Sequence, residues 1–175
     1  VVDDKPRFTN RLGYALKQYF PQALDWFDHT DTIVFCDFLT RWPTLLQVKR
    51  ARATSVRAFF WSHNVRHVNV IDERIQAIKS ARALTQDVAV ITAYRLQALV
   101  LVDQLRVTLQ AIDRFDAQIA EIAPSLPDYA LFKSLPGAGP HLTPRLLVAF
   151  GEQRERFTTA AEIQKYSGVA PVTER

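Results

Sequence analysis

Residues 85–123 constrain this chain more than any other stretch. Counting from Ile91, the a positions of a heptad repeat hold Ile91, Ala98, Leu105, Ile112 and Ile119. The d positions hold Tyr94, Leu101, Thr108, Phe115 and Ile122. Nine of these ten are apolar, counting alanine and tyrosine, over five consecutive heptads. A 3.5-residue repeat sustained that long predicts one continuous coiled-coil helix. At ~1.5 Å per residue it is on the order of 55 Å long, too long for a compact domain of this size. Val102 and Leu109 widen the apolar stripe, so it can meet two partner helices. Burial inside its own chain competes with pairing to a second subunit. Because the helix outruns the rest of the chain, the expectation is dimerisation through Ile91, Tyr94, Leu101, Leu105, Ile112, Phe115, Ile119 and Ile122.

The flanking sequence is helical too. Residues 2–19 place Phe8, Leu12, Ala15, Leu16 and Tyr19 on one helical face. Pro21 ends that helix and opens a short one, and Asp31 or Thr32 can cap the next. Pro43 marks a break, followed by short helices at 43–50 and 54–62, the second capped by Thr54 or Ser55. Asn64 is a stop signal, and a helix of 68–82 leads to the heptads. Pro124-Ser125-Leu126-Pro127 breaks the long helix and sets the expected domain boundary. The reading is therefore all-α: a helical bundle (1–84), a long coiled-coil helix (85–123), and a small helix-hairpin-helix-like domain (124–175). Five glycines against nine prolines argue against a many-turned β fold.

Charge is uneven. The net +4 combines 13 basic and 8 acidic residues in 1–83 with a net acidic segment at 84–123. Between Asp37 and Asp72 there is no acidic residue, while Arg41, Lys49, Arg50, Arg52, Arg57, Arg66, His63 and His67 all fall in that gap. A one-sign stretch of this kind attracts phosphates, although a merely solvated basic face has the same composition. Trp61 lies in this basic gap, where stacking on bases and core packing both stay open; Trp26 reads as core.

Enzyme chemistry finds little support. One cysteine, Cys36, excludes an intrachain disulfide and a cysteine-cluster metal site. His63 and His67, one turn apart, lack a third ligand. The pairs Asp113 with Asp116 and Asp25 with Asp28 read as surface acids. No run approaches the ~18 apolar residues of a membrane span. The expectation is no catalytic residue, no metal and no cofactor within this stretch, and no membrane partner.

Leu135-Pro136-Gly137-Ala138-Gly139-Pro140-His141-Leu142-Thr143 is a glycine-rich hairpin leading into a helix. Glycines allow a tight turn, and the helix N-terminus beyond offers amides and a positive dipole end to a phosphate. Lys133, Gly137, Gly139 and Arg145 are its candidate DNA contacts. It resembles a helix-hairpin-helix motif, with Pro144 tolerable only in the first turn of the second helix.

Four blocks carry a wider resemblance. They are Phe132 to Gly139, Leu146 to Gly151, Arg156 to Ala160, and Tyr166-Ser167-Gly168-Val169-Ala170-Pro171. In order and spacing they resemble the C-terminal transposase domain of the insertion-sequence family one-ten, bridge-RNA-guided recombinases of bacteria. The preceding helices, with Arg11, Leu12, Tyr19, Pro21 and the Arg41-Trp42-Pro43 turn, are similar to that family's linker and coiled coil, less distinctively.

The resemblance implies a bacterial, nucleoid-associated cytoplasmic protein. It implies an N-terminal RuvC-like domain holding Mg through an Asp-Glu-Asp-Asp set, and a serine nucleophile in the transposase domain. It also implies partners: DNA, a structured guide RNA, and further copies of the chain in a homodimer or higher oligomer. On that mapping neither catalytic centre lies in this stretch, and Ser167 serves packing or capping. The absence of methionine fits a piece of a longer protein, inactive alone. The reading that competes, from a different class, is a non-catalytic helical scaffold mediating protein–protein assembly.

Overall fold

A computed structural model describes residues 1–151 and 153–168, the side chain of Arg154 excepted. Among the described residues every regular element is helical, as the sequence predicts. The chain divides into two compact units, Val1–Arg114 and Phe115–Arg175.

Six helices and most of a seventh build the first unit. They are α1 (Asp4–Tyr19), α2 (Gln22–Asp25), α3 (Ile33–Arg41), α4 (Leu45–Arg50), α5 (Ala53–Ser62), α6 (Val68–Ser80) and α7 (Val88–Ile122). Local chemistry sets their ends. The Phe35 amide donates to the Thr32 hydroxyl at 3.3 Å, so Thr32 is the cap of α3, while Asp31 pairs with Lys5 at 2.6 Å. Thr44 caps α4 in the same way. The amides of Ala89 and Val90 donate to Asp87 at the start of α7.

The start of α5 differs from expectation. Thr54 and Ser55 lie inside the helix, and Arg52 occupies the cap position with no side-chain cap. Its backbone carbonyl takes the first amides, those of Ser55 and Val56. Asn64 does end α5, at φ 60°, with the Val65 amide donating to Phe60 and the Asn64 amide to Trp61. These two bonds form a Schellman closure, with asparagine in the place glycine usually takes.

The core of this unit is aromatic. Phe27, Phe38, Trp42, Phe59 and Phe60 meet mainly edge-on at 5.0–5.9 Å, the arrangement that ring quadrupoles favour. Helix α7 supplies one wall, burying Ala98, Leu101, Val102 and Leu105, with Ile91, Tyr94 and Leu109 partly buried. The first half of the heptad seam is thus spent within the chain. Its second half is open: Phe115, Ile119 and Ile122 are exposed. Leu101 and Leu105 are therefore core residues here, not a free face awaiting a partner.

The same helix corrects the membrane reading. Val88–Ser125 is long and apolar enough to cross a membrane, with mean hydropathy 1.4 over an 18-residue window. Arg95 and Asp103 interrupt the continuous run, which is why a search for unbroken apolar sequence passes over it. Length and composition alone do not separate a span from the wall of a core, and part of this stretch is such a wall.

The second unit parts from the first at Arg114, upstream of the Pro124-to-Pro127 break. It holds the end of α7, a 3₁₀ turn at Ala123–Ser125, α8 (Tyr129–Lys133), α9 (Leu142–Phe150) and α10 (Ala160–Tyr166). A chain of rings, Phe132–Phe150–Phe157–Tyr166, at 5.3–5.8 Å holds them together. Arg156 stacks on Phe157 and Tyr166 and donates to the carbonyls of Ala149 and Phe150, both at 2.8 Å. It therefore closes the C-terminus of α9, where unpaired carbonyls and the dipole both favour a cation. Gly151 follows at φ 66° with an extended ψ and ends α9.

Candidate nucleic-acid interface

The basic segment spans α3 to the start of α6, and the structure sorts its cations by what they touch. Arg57 pairs with Asp72 at 2.5 Å. Lys49 donates to the Ala81 carbonyl at 2.6 Å. The Arg41 guanidinium lies 4.7 Å from the Trp42 ring centre. Arg66 donates to the Asn64 side chain at 3.3 Å and stays exposed. Arg50 and Arg52 are exposed and make no ion pair among the described residues. Only part of the predicted set thus has its charge unspent.

The carboxylates bounding this segment are engaged as well. Asp37 binds Arg106 through one oxygen, and its other oxygen lies 2.7 Å from His63 Nε2. Burial alone would raise the Asp37 carboxyl; the bonds from His63 and Arg106 outweigh it and leave the group below the usual range. His63 Nδ1 is 2.8 Å from the Phe59 carbonyl, so both ring nitrogens are occupied within the fold. His63 is a structural tie between α3 and α5, and His67 sits exposed before α6. Arg106, which joins α7 to Asp37 and Thr40, was not singled out by sequence, because nothing in the pattern distinguishes it from a solvated coiled-coil cation.

Other candidates resolve similarly. Cys36 is buried, and burial pushes its thiol up to about 11, which makes it unreactive. Burial also raises the Tyr19 hydroxyl, which donates to the Pro43 carbonyl at 3.0 Å. Asp28 faces Arg74 at 3.7 Å and Asp116 faces His141 at 3.9 Å. No group of three or more potential metal ligands occurs among the described residues, so they do not fit the magnesium set the resemblance implies for another domain. A groove of about 620 Å³ in the first unit is lined by Tyr19, Leu45, Leu46, Val88, Ile91 and Arg95.

In the second unit, Lys133, Gly137, Gly139 and Arg145 are all exposed around the α8–α9 hairpin. Gly137 has φ 78°, which explains the glycine there. The amides of Ala138, Gly139, Leu142 and Thr143 bond inward, to Leu135, Gly137 and twice Gly139. Those of Gly137 and His141 make no such bond among the described residues, so fewer amides are open than the motif suggests. Pro144 is the third residue of α9, within its first turn, where its missing N–H does no harm.

The hairpin and the Arg156-closed helix pair form the stretch that the comparisons identify. Residues 129–175 match the transposase IS116/IS110/IS902 family. Across 178 aligned residues, 99% of this chain, 30% are identical to a Streptomyces coelicolor protein named "Mini-circle putative transposase for IS117". Over residues 129–175 the chain is similar to the IS110-type transposases. It spans 43% of the length of that curated protein. No solved structure matches it.

The alignment to the curated protein reaches back through the bundle and α7, well beyond the four blocks read from the sequence. Within the IS110-type blocks, several residues are structural. Arg156, Phe157 and Tyr166 form the stack described above. Thr159 caps α10, while Glu162 accepts from Thr158 at 2.6 Å, and that bond lowers its carboxyl. The Ser167 hydroxyl donates to the Gln164 carbonyl at 2.9 Å, a capping role. Val169, Ala170 and Pro171 of the last block lie outside the described residues.

Proposed function

We propose that this chain is the assembly and nucleic-acid-holding part of a DNA transposase acting with a structured RNA. The observation that carries the reading is the division of charge in the first unit. Asp37 and Asp72 are each held by a cation, whereas Arg50, Arg52 and Arg66 stand exposed with no carboxylate partner among the described residues. Such cations exchange condensed counterions for phosphates, so affinity falls steeply with salt. Lys133, Arg145 and the open amides of Gly137 and His141 suit a DNA backbone and read no sequence.

The exposed seam at Phe115, Ile119 and Ile122, with Ile112 half-buried at its edge, supports self-association. An apolar row at heptad spacing that its own chain leaves uncovered is the geometry a second copy of the helix can fill. Catalysis is assigned to none of the described residues.

The test is direct. Fluorescence anisotropy with labelled duplex DNA and a folded RNA hairpin should detect binding at ~50 mM salt and a large loss by ~200 mM. Arg50→Glu with Arg52→Glu should abolish it while leaving self-association unchanged. Absence of binding at the lower salt removes the nucleic-acid role and leaves a protein scaffold.

A further inference from the structure

We infer that Trp61 is a stacking platform for an unpaired nucleobase, in the same basic segment as the exposed Arg66. This rests on the nucleic-acid reading above and adds what it lacks, a preference for single-stranded segments over duplex. Trp26 and Trp42 are each 7% exposed and packed edge-on against Phe38, whereas Trp61 is 46% exposed. Its ring makes no aromatic or cation contact among the described residues. An indole left that open loses the burial that normally accounts for a tryptophan.

The backbone beneath it is fixed. Trp61 lies in the last turn of α5, and its carbonyl accepts the Asn64 amide in the Schellman closure. One turn back, at helical spacing on the same side, are Ala58, exposed and too small to cover the ring, and Arg57, tied to Asp72. Arg66 and His67 follow the closure, both exposed. The ring thus stands open on a fixed helix end, in a basic segment where Arg66 is exposed and the bounding carboxylates Asp37 and Asp72 are each held by a cation.

That combination is how sequence-tolerant single-strand sites are built: cations follow the backbone and a ring takes a base face. A base inside a duplex is already stacked on both faces, so it cannot use the platform. A protein partner would need acidic groups to face the same cations.

The experiment is a tryptophan-emission titration of the full chain with an unstructured RNA of about a dozen nucleotides and with blunt duplex of equal length. The single strand should quench the exposed indole and the duplex should not. Trp61→Ala should weaken single-strand binding roughly tenfold, measured by anisotropy, and leave duplex binding unchanged. Trp61→Phe should restore part of the loss, and far-UV circular dichroism checks that both variants fold.

If the single strand binds without quenching, or Trp61→Ala binds it as well as the parent, the platform is wrong and the basic surface still stands. If neither nucleic acid binds, both readings fail together. If Trp61→Ala changes the sedimentation coefficient instead of single-strand affinity, the ring belongs to a protein contact and the inference is overturned.

Discussion

Leu105 and Ile119 hold the same heptad position two repeats apart on one helix. Leu105 is fully buried against the aromatic core of the first unit, and Ile119 is 43% exposed. The pattern is the same at both, so the pattern cannot be what separates them. Ahead of Thr108, short helices that precede α7 in sequence fold back and cover the seam. Beyond Ile112 the seam emerges from that cover. A heptad repeat states that a face wants burial; it does not name what will bury it.

The sharpest way to break this comparison is to truncate each residue in turn. Leu105→Ala should cost about 2–5 kcal/mol in urea unfolding followed by tryptophan emission. Ile119→Ala should stay within about 0.5 kcal/mol for the monomer, as an exposed position does. Equal losses would mean that both halves of the seam are core.

Phe115→Asp with Ile119→Asp tests the exposed half. Each buried apolar side chain is worth ~1.5–3 kcal/mol, so losing two should weaken self-association at least ~100-fold in sedimentation equilibrium. An unchanged oligomeric state would remove the seam from the interface.

The charged residues permit a finer comparison. Arg50→Gln and Arg52→Gln should each lower the salt dependence of duplex binding by about one counterion. Arg57→Gln should change it less, because Asp72 already holds that guanidinium, and its effect should appear in stability. A slope lost equally at all three would dissolve the distinction between free and tied cations.

The smallest effect concerns pH. The folded Asp37 carboxyl lies below its ordinary 3.8, so its contribution is complete above that value and is lost as pH falls through the folded value. Asp31, held first by its bond from Lys5, behaves alike. Asp37→Asn should therefore narrow the stability gap to the parent below about pH 4, seen in acid titrations by circular dichroism. A gap constant to the lowest pH would show that its bonds to His63 and Arg106 contribute nothing.

Much of the fold is legible because local chemistry decides it. Pro21 and Pro43 break helices by sterics, Thr32, Thr44 and Thr159 satisfy amides at helix starts, and Asn64 tolerates a positive φ. The start of α5 is not legible, because Thr54 and Ser55 look like caps while Arg52 takes that position and Val56, Phe59 and Phe60 pack into the core. The candidate site was legible only as a list of charges. Lys49 and Arg57 are held by groups distant in sequence, a carbonyl at Ala81 and a carboxylate at Asp72, while Arg41 lies over the ring of its neighbour Trp42.

The sequence by itself determined that this chain is helical, that one helix is long, that its basic charge is concentrated ahead of that helix, and that its last quarter resembles a transposase domain. These follow from periodicity, caps, composition and motif, all short-range properties. Only the tertiary structure decided which cations remain free, which half of the seam is open, and which tryptophan faces outward. Those depend on contacts between residues far apart in sequence, and such contacts leave no mark on any one stretch of it.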